Sequence, residues 1–243
     1  EVFSKNKKKI TSKIINIKKI NLLPKPARIK VIQDIKKIIS KRKFFNKKNH
    51  ILMGVLNMTP DSFSDGGKFN LKKKALKKIS EMISSGADII DIGGESTRPG
   101  SKIISPKIEW ERVKEVIKKF KKKFSKTSLS IDTRKSLVMK NSIKYDVDII
   151  NDVSGFKFDK NTFSTIKNKN LWKVIHHMQG TPQTMQINPK YHHVLLDIYE
   201  FFEREIAKFK KDRYSNKIIL DPGIGFGKNL KHNLMILNKI SIF

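Results

Sequence analysis

Asn57, Asp132, Asn151 and Asp221 each stand where a short run rich in Ile and Val gives way to a polar, turn-prone segment. If they face one pocket, Asp132, Asn151 and Asp221 supply an acceptor, a mixed donor and acceptor, and a second acceptor. That set suits a flat nitrogen heterocycle carrying amino and ring N–H groups. General acid and base work by paired carboxylates is the competing chemistry, and spacing along the chain does not separate the two. Capping of a following helix explains any one of the three, but not all of them together.

The polar segments around these residues differ in kind. Asn57 opens the stretch Asn57-Met-Thr-Pro-Asp-Ser-Phe-Ser-Asp-Gly-Gly67, whose large apolar residues are Met58 and Phe63. Its carboxamide could offer a carbonyl oxygen to Mg²⁺ or an NH₂ to phosphate, because Mg²⁺ takes few protein ligands when phosphates supply the rest. An ordinary turn of Pro, Asp and Gly accounts for the same residues equally well. The second stretch, Gly93-Gly-Glu-Ser-Thr-Arg-Pro-Gly100, sets the Thr97 hydroxyl beside the Arg98 guanidinium among glycines that permit close backbone approach. That combination suits an oxyanion such as diphosphate. Gly223-Ile-Gly-Phe-Gly-Lys228 matches neither the phosphate-loop nor the dinucleotide pattern, and reads as a glycine-rich strand exit whose exposed Phe226 and Lys228 build pocket wall. His176 and His177 look like a metal pair, but neighbours on a strand point to opposite faces, and His192-His193 is no better placed.

Such residues need elements that bring their ends to one place. From His50 onward, apolar runs alternate with helical patterns: strands at 50–56, 87–92, 128–132, 147–151, 171–176 and 217–221, and helices near 71–85, 107–124, 135–145, 160–169, 191–211 and 229–240. Continuous apolar strands separated by helices imply a parallel sheet covered on its outer face. A doubly wound sheet concentrates its binding residues at one switch point. Here every strand end is furnished, which favours an α/β fold of the (β/α)₈ TIM barrel kind, of which about six β/α units are visible.

The composition narrows the function classes. A length of 243 residues fits one domain with a substantial core. Cysteine is absent, which excludes disulfides, thiolate metal sites and a cysteine nucleophile. With no apolar stretch of membrane-spanning length and no signal-peptide pattern, the chain reads as soluble and cytoplasmic, with no membrane partner. A net charge of +31 invites a nucleic-acid reading, yet 46 of the 53 basic residues are Lys and only seven are Arg. Arg is the residue favoured for bidentate phosphate and base contacts, so a general drift toward Lys explains the charge better than a specific nucleic-acid partner. Arg98 and Arg134 stand out because they sit in strand-end loops. Residues 1–48 hold 15 Lys and two Arg against Glu1 and Asp34, and form a basic N-terminal extension distinct from a domain over 49–243. In the extension Ile10, Ile14 and Ile17 have helical spacing, Pro24 and Pro26 break the pattern, and Val31, Ile35, Ile38 and Ile39 mark a second amphipathic helix. It reads as a packing or bottom-plugging segment with a solvated polar face.

Taken together, residues of about 50 to 240 resemble the dihydropteroate synthase family. The resemblance is carried by Met53 to Gly67, Gly86 to Gly100, Ile150-Asn-Asp-Val-Ser154, His177-Met-Gln-Gly180 and Leu220-Asp-Pro-Gly-Ile-Gly-Phe-Gly-Lys-Asn229. It implies a pterin-binding TIM barrel in which 4-aminobenzoate displaces diphosphate from the methylene carbon of a dihydropterin diphosphate, giving 7,8-dihydropteroate for folate biosynthesis. By motif position it implies that Asn57 binds Mg²⁺ and diphosphate, with Thr97 and Arg98 also near the diphosphate. Asp132, Asn151 and Asp221 would hold the pterin edge. Phe63, Pro99 and Phe226 would shape the aminobenzoate pocket, and Asp65 would organise the reacting centre, with Asp132 also placed at the catalytic end. The resemblance admits a homodimer. An arylamine is neutral at pH 7 and already nucleophilic, so the reaction needs no Ser, Cys or Lys nucleophile.

Two departures accompany the resemblance. Arg134 and Lys135 follow Asp132 where other members often have Ser or Thr and then Lys. Family members also carry two further strands, with a Ser-Arg-Lys and an Arg-x-His segment, so the chain reads as a fragment that is inactive alone because a six-unit barrel leaves open sheet edges. A pterin-binding methyltransferase is the second enzyme reading, though the Asn57 to Gly67 and Ser-Thr-Arg-Pro stretches are not expected there. A basic RNA-binding protein is the non-enzyme alternative.

Overall fold

The computed structural model describes residues 2–6, 9–39, 50–59, 68–96 and 101–243. The first of these form an antiparallel hairpin, β1 (Val2–Asn6) with β2 (Lys9–Lys13), followed by helix α1 (Lys25–Ile39). The helical spacing of Ile10, Ile14 and Ile17 is therefore misleading, because Ile10 lies in β2, Ile14 follows it and Ile17 opens a short 3₁₀ turn. Three β-branched residues are compatible with either period, and backbone pairing across the hairpin decides the matter. Pro26 is at the second position of α1, where its missing N–H is no loss, so it starts the helix instead of breaking it. The helix lies against the outer helix α6 (Val194–Lys208): Lys30 and Lys37 pair with Glu203 at 2.9 and 2.7 Å, and the Tyr199 hydroxyl donates to Asp34. These contacts are on the flank of the barrel wall.

The remaining strands are β3 (Met53–Asn57), β4 (Ile89–Gly93), β5 (Ser128–Asp132), β6 (Ile149–Asp152), β7 (Trp172–His176) and β8 (Ile218–Asp221). Every neighbour in the sheet is also the neighbour in sequence, and every pairing is parallel. A doubly wound sheet has to reverse its strand order, so this order is that of a TIM-barrel wall, seen here as six strand units. The intervening helices are α2 (Lys68–Ser84), α3 (Pro106–Lys123), α4 (Ser136–Ser142), α5 (Thr162–Ile166), α6 and α7 (Leu230–Asn238). Among the described residues no helix is long and apolar enough to cross a membrane.

Side-chain alternation divides the strands into two faces. Leu56, Ile90, Ile92, Leu129, Ile131, Ile150 and Ile175 face outward into one core with the helices. In α3 the residues Val113, Val116, Ile117 and Phe120 recur at helical spacing and complete that core. Ser105 caps α3 by accepting from the Ile108 N–H, Pro106 begins it, and Lys121 to Lys123 complement the dipole at its end. Ile89, Ile149 and Val174 form a separate inner cluster with Trp172 and Ile219. Two residues beyond these inner positions the chain turns polar. The same face then carries Asp91, Asn151, His176 and Asp221, and the register sets Asn57, Gly93 and Asp132 side by side with Asn151. The inner floor is apolar, and the strand mouths are polar.

Candidate active site

Gly93 is the hinge of the first half of the site. It pairs with Asn57 on one side and Asp132 on the other, and a Cβ there would lie 3.3 Å from Asp132 Oδ2 and 3.5 Å from Asn57 Oδ1. The missing side chain lets the carboxamide and the carboxyl approach each other over the backbone. Asn57 is exposed at the mouth while Asp132 is half-buried. A single exposed carboxamide oxygen near a carboxyl is a donor set that fits Mg²⁺ drawing its other ligands from phosphate and water.

The pterin-like set predicted from sequence is brought to one side of the sheet, with an addition. The Asn151 Nδ2 donates to Asp91 Oδ2 at 3.0 Å, leaving the buried Asn151 Oδ1 without a hydrogen-bond partner among the described residues. Asp91 was not among the expected site residues. It is hidden in Ile-Ile-Asp-Ile-Gly, a run that reads as a buried strand, and the signal that could reveal it is a lone carboxylate two residues before the strand's end. Asp91 is itself buried, and burial raises its pKa although Ser130 and Asn151 act the other way. Asp132 is pushed well above the ordinary carboxylate range by burial and then by the charges of Asp91, Glu109, Asp152 and Glu95. Asp221 is lowered: burial opposes ionisation, but a bond from His176 Nδ1 at 2.9 Å and one from the Gly223 N–H at 2.8 Å outweigh it.

His176 and His177 take different partners. His176 turns to Asp221 and meets Phe226 edge-on at 4.8 Å between ring centroids. His177 Nδ1 faces the buried Lys228 ammonium at 3.1 Å, and Lys228 also donates to the carbonyls of His177 and Phe226. Burial and then Lys228 push His177 down to about 3, and burial lowers Lys228 to about 8. Phe226 is thus fixed from both sides as a half-buried wall.

Behind the mouth lies a buried charge network. Glu95 accepts from Arg134 Nε and Lys135 Nζ, both at 2.7 Å, and from the Ile104 N–H at 3.1 Å. Lys135 also pairs with Glu109 at 2.7 Å, and Thr133 donates to Glu109. Burial works against the Glu95 carboxylate, but Arg134 and Lys135 hold it below its usual range. The Arg134 guanidinium stacks 3.9 Å over Phe158. Arg134 is therefore turned inward as a structural cation. Among the expected site residues, Phe63, Asp65, Thr97, Arg98 and Pro99 lie outside the described residues.

The profile of the family described as "Pterin binding enzyme" matches residues 53–243. The chain belongs to that family. It is similar to the dihydropteroate synthase of Escherichia coli K12, 41% identical over 193 residues that cover 79% of this chain and 68% of the relative. A dihydropteroate synthase from Clostridium difficile, solved in the presence of pteroic acid, is 39% identical with a TM-score of 0.72, covering 82% of this chain and 73% of that one. The Xanthomonas albilineans enzyme, solved with 4-aminobenzoic acid, is 31% identical with a TM-score of 0.70, covering 78% and 67%. The fold and function are thus those of a dihydropteroate synthase, a transferase of folate biosynthesis. The six parallel strands correspond to part of the TIM barrel of this pterin-binding family.

Proposed function

We propose that this chain's strand ends divide the substrates of the dihydropteroate synthase reaction as follows. Asp221, Asn151 and Asp132 hold a dihydropterin, Asn57 holds Mg²⁺ with the diphosphate, and Phe226 walls the place of 4-aminobenzoate. The observation that carries this reading is the contrast between Asp221, which takes donors from His176 and the Gly223 N–H, and the pair Asp132 and Asp91, both pushed up by burial and Asp132 also by the charge of Asp91. A dihydropterin edge carries several N–H donors and few charges. An ionised acceptor at one end with an acceptor of raised pKa at the other suits it better than it suits a phosphate. Asp65, Thr97, Arg98, Phe63 and Pro99 keep the roles that the family resemblance gives them, at the reacting centre, diphosphate and aminobenzoate respectively.

Mg²⁺, when bound, supplies positive charge against the oxygens of departing diphosphate. The chain's own part is to hold the pterin, orient the arylamine and keep water from the methylene carbon. Among the described residues β3 and β8 each pair on one side only, which leaves the mouth accessible to water there, so turnover by the 243-residue chain is expected to be slow even where pterin binding persists. Lack of cysteine and water-soluble substrates accord with a cytoplasmic enzyme, and a homodimer is the assembly proposed.

The roles separate in a binding experiment. Asn57→Ala should weaken binding of the dihydropterin diphosphate in Mg²⁺ by about tenfold or more while sparing (7,8-dihydropterin-6-yl)methanol, whereas Asp221→Ala should weaken both. Equal affinities in wild type and Asp221→Ala for both ligands, measured by calorimetry, would refute the assignment.

A further inference from the structure

His176 ends β7 on the inner face shared by Trp172 and Val174, and its ring is only 4% exposed. Nδ1 lies 2.9 Å from Asp221 Oδ2 on the adjacent strand, and β7 and β8 pair these two residues in register. The other Asp221 oxygen, Oδ1, accepts from the Gly223 N–H at 2.8 Å. An ionised carboxylate only accepts, so Nδ1 carries a proton and donates it to Asp221. Nε2 is buried without a hydrogen-bond partner among the described residues.

The ring is also locked in place. Phe226 stands edge-on to it, and Gly223, at φ 68°, closes over Nε2 so tightly that a Cβ there would fall 2.9 Å from that nitrogen. Asp221 thus receives one fixed donor on each oxygen. Each oxygen keeps a second lone-pair direction, and the two free directions suit a fork of neighbouring N–H groups. Among the described residues Asp132 has no comparable donor, and it is the carboxyl whose charge the surroundings disfavour.

We infer that His176 is a positioning residue for the pterin end of the site: its Nδ1–H fixes the Asp221 carboxylate in the orientation that takes the paired N–H groups of the pterin ring. The inference rests on the reading of Asp221 as the pterin carboxylate. Nothing in the strand sequence Trp-Lys-Val-Ile-His points to it, because the adjacent His177 suggests a metal pair instead.

Two substitutions separate the donor from the packing. His176→Phe keeps a ring against Phe226 but removes the N–H, whereas His176→Asn removes the ring but places an amide N–H near the position of Nδ1. With (7,8-dihydropterin-6-yl)methanol titrated into the full chain, H176F should bind about tenfold more weakly or worse, and H176N within about threefold of wild type. In an Asp221→Asn background H176F should cause no further loss. Wild-type affinity in H176F, or equal losses in H176F and H176N, overturns the inference. Wild-type affinity in D221N overturns the underlying reading of the site, so the two failures are told apart.

Discussion

Asp132 and Asp221 are the same side chain at equivalent strand ends, but their surroundings drive them in opposite directions. Asp221 meets two donors, while Asp132 meets burial and a neighbouring carboxyl. A ligand N–H needs Asp132 ionised, and the free protein holds its proton to a higher pH than an ordinary carboxyl does. On acidification, pterin affinity should therefore begin to fall at a higher pH than an ordinary carboxylate contact would, as a series of titrations across pH would show. Substituting Asp132→Asn should flatten that dependence, and an unchanged slope would remove Asp132 from the pterin contacts. The polar ends themselves were legible in the sequence, because each closes an apolar run. Asp91 and His176 were not, since a single polar residue inside or beside an apolar strand reads as an exception until the neighbouring strand's side chain is seen against it.

Helices, strands and loops are fixed by partners distant in the chain. Glu95 lies in a stretch whose composition suits an oxyanion, yet its carboxylate turns inward to Arg134, Lys135 and the Ile104 N–H, fastening the two ends of the segment 95–104 to the loop after β5. Removing one member of a buried, hydrogen-bonded charge cluster leaves the others uncompensated. Glu95→Ala should lower the unfolding free energy by about 3–5 kcal/mol in urea titrations, and a loss under about 1 kcal/mol would show that the cluster is loosely paired. The network also explains the departure at Arg134, which has an acidic partner and the Phe158 ring to stack on. Strand placement was legible because apolar runs of this length between helical patterns have few alternatives; β5 falls at the expected residues 128–132. The N-terminal hairpin was not, because its short polar strands carry too few apolar residues to set a period.

Over the whole molecule, the +31 charge and the site chemistry are separate properties. Lysines dominate the exposed helix faces, as in α1 and α2, whereas Lys135, Lys173 and Lys228 are buried with partners. Polyanion binding should therefore be nonspecific. Retention of a single-stranded RNA on filters should fall at least about tenfold between 50 and 200 mM salt and be indifferent to Asp221→Ala, whereas competition between RNA and the pterin alcohol would contradict the separation. The barrel class was legible from alternation and from furnished strand ends, while the openness of the described sheet appears in Met53 and Val55, whose inner-face side chains are 38% and 55% exposed along β3. The central claim is that three strand ends of this wall form one pterin site. A crystal structure of the chain with (7,8-dihydropterin-6-yl)methanol tests it most directly. The ring should span Asp132, Asn151 and Asp221, with ring N–H groups on the Asp221 carboxylate. A ring bound elsewhere, or one that leaves Asp221 bonded only to His176 and Gly223, would contradict it.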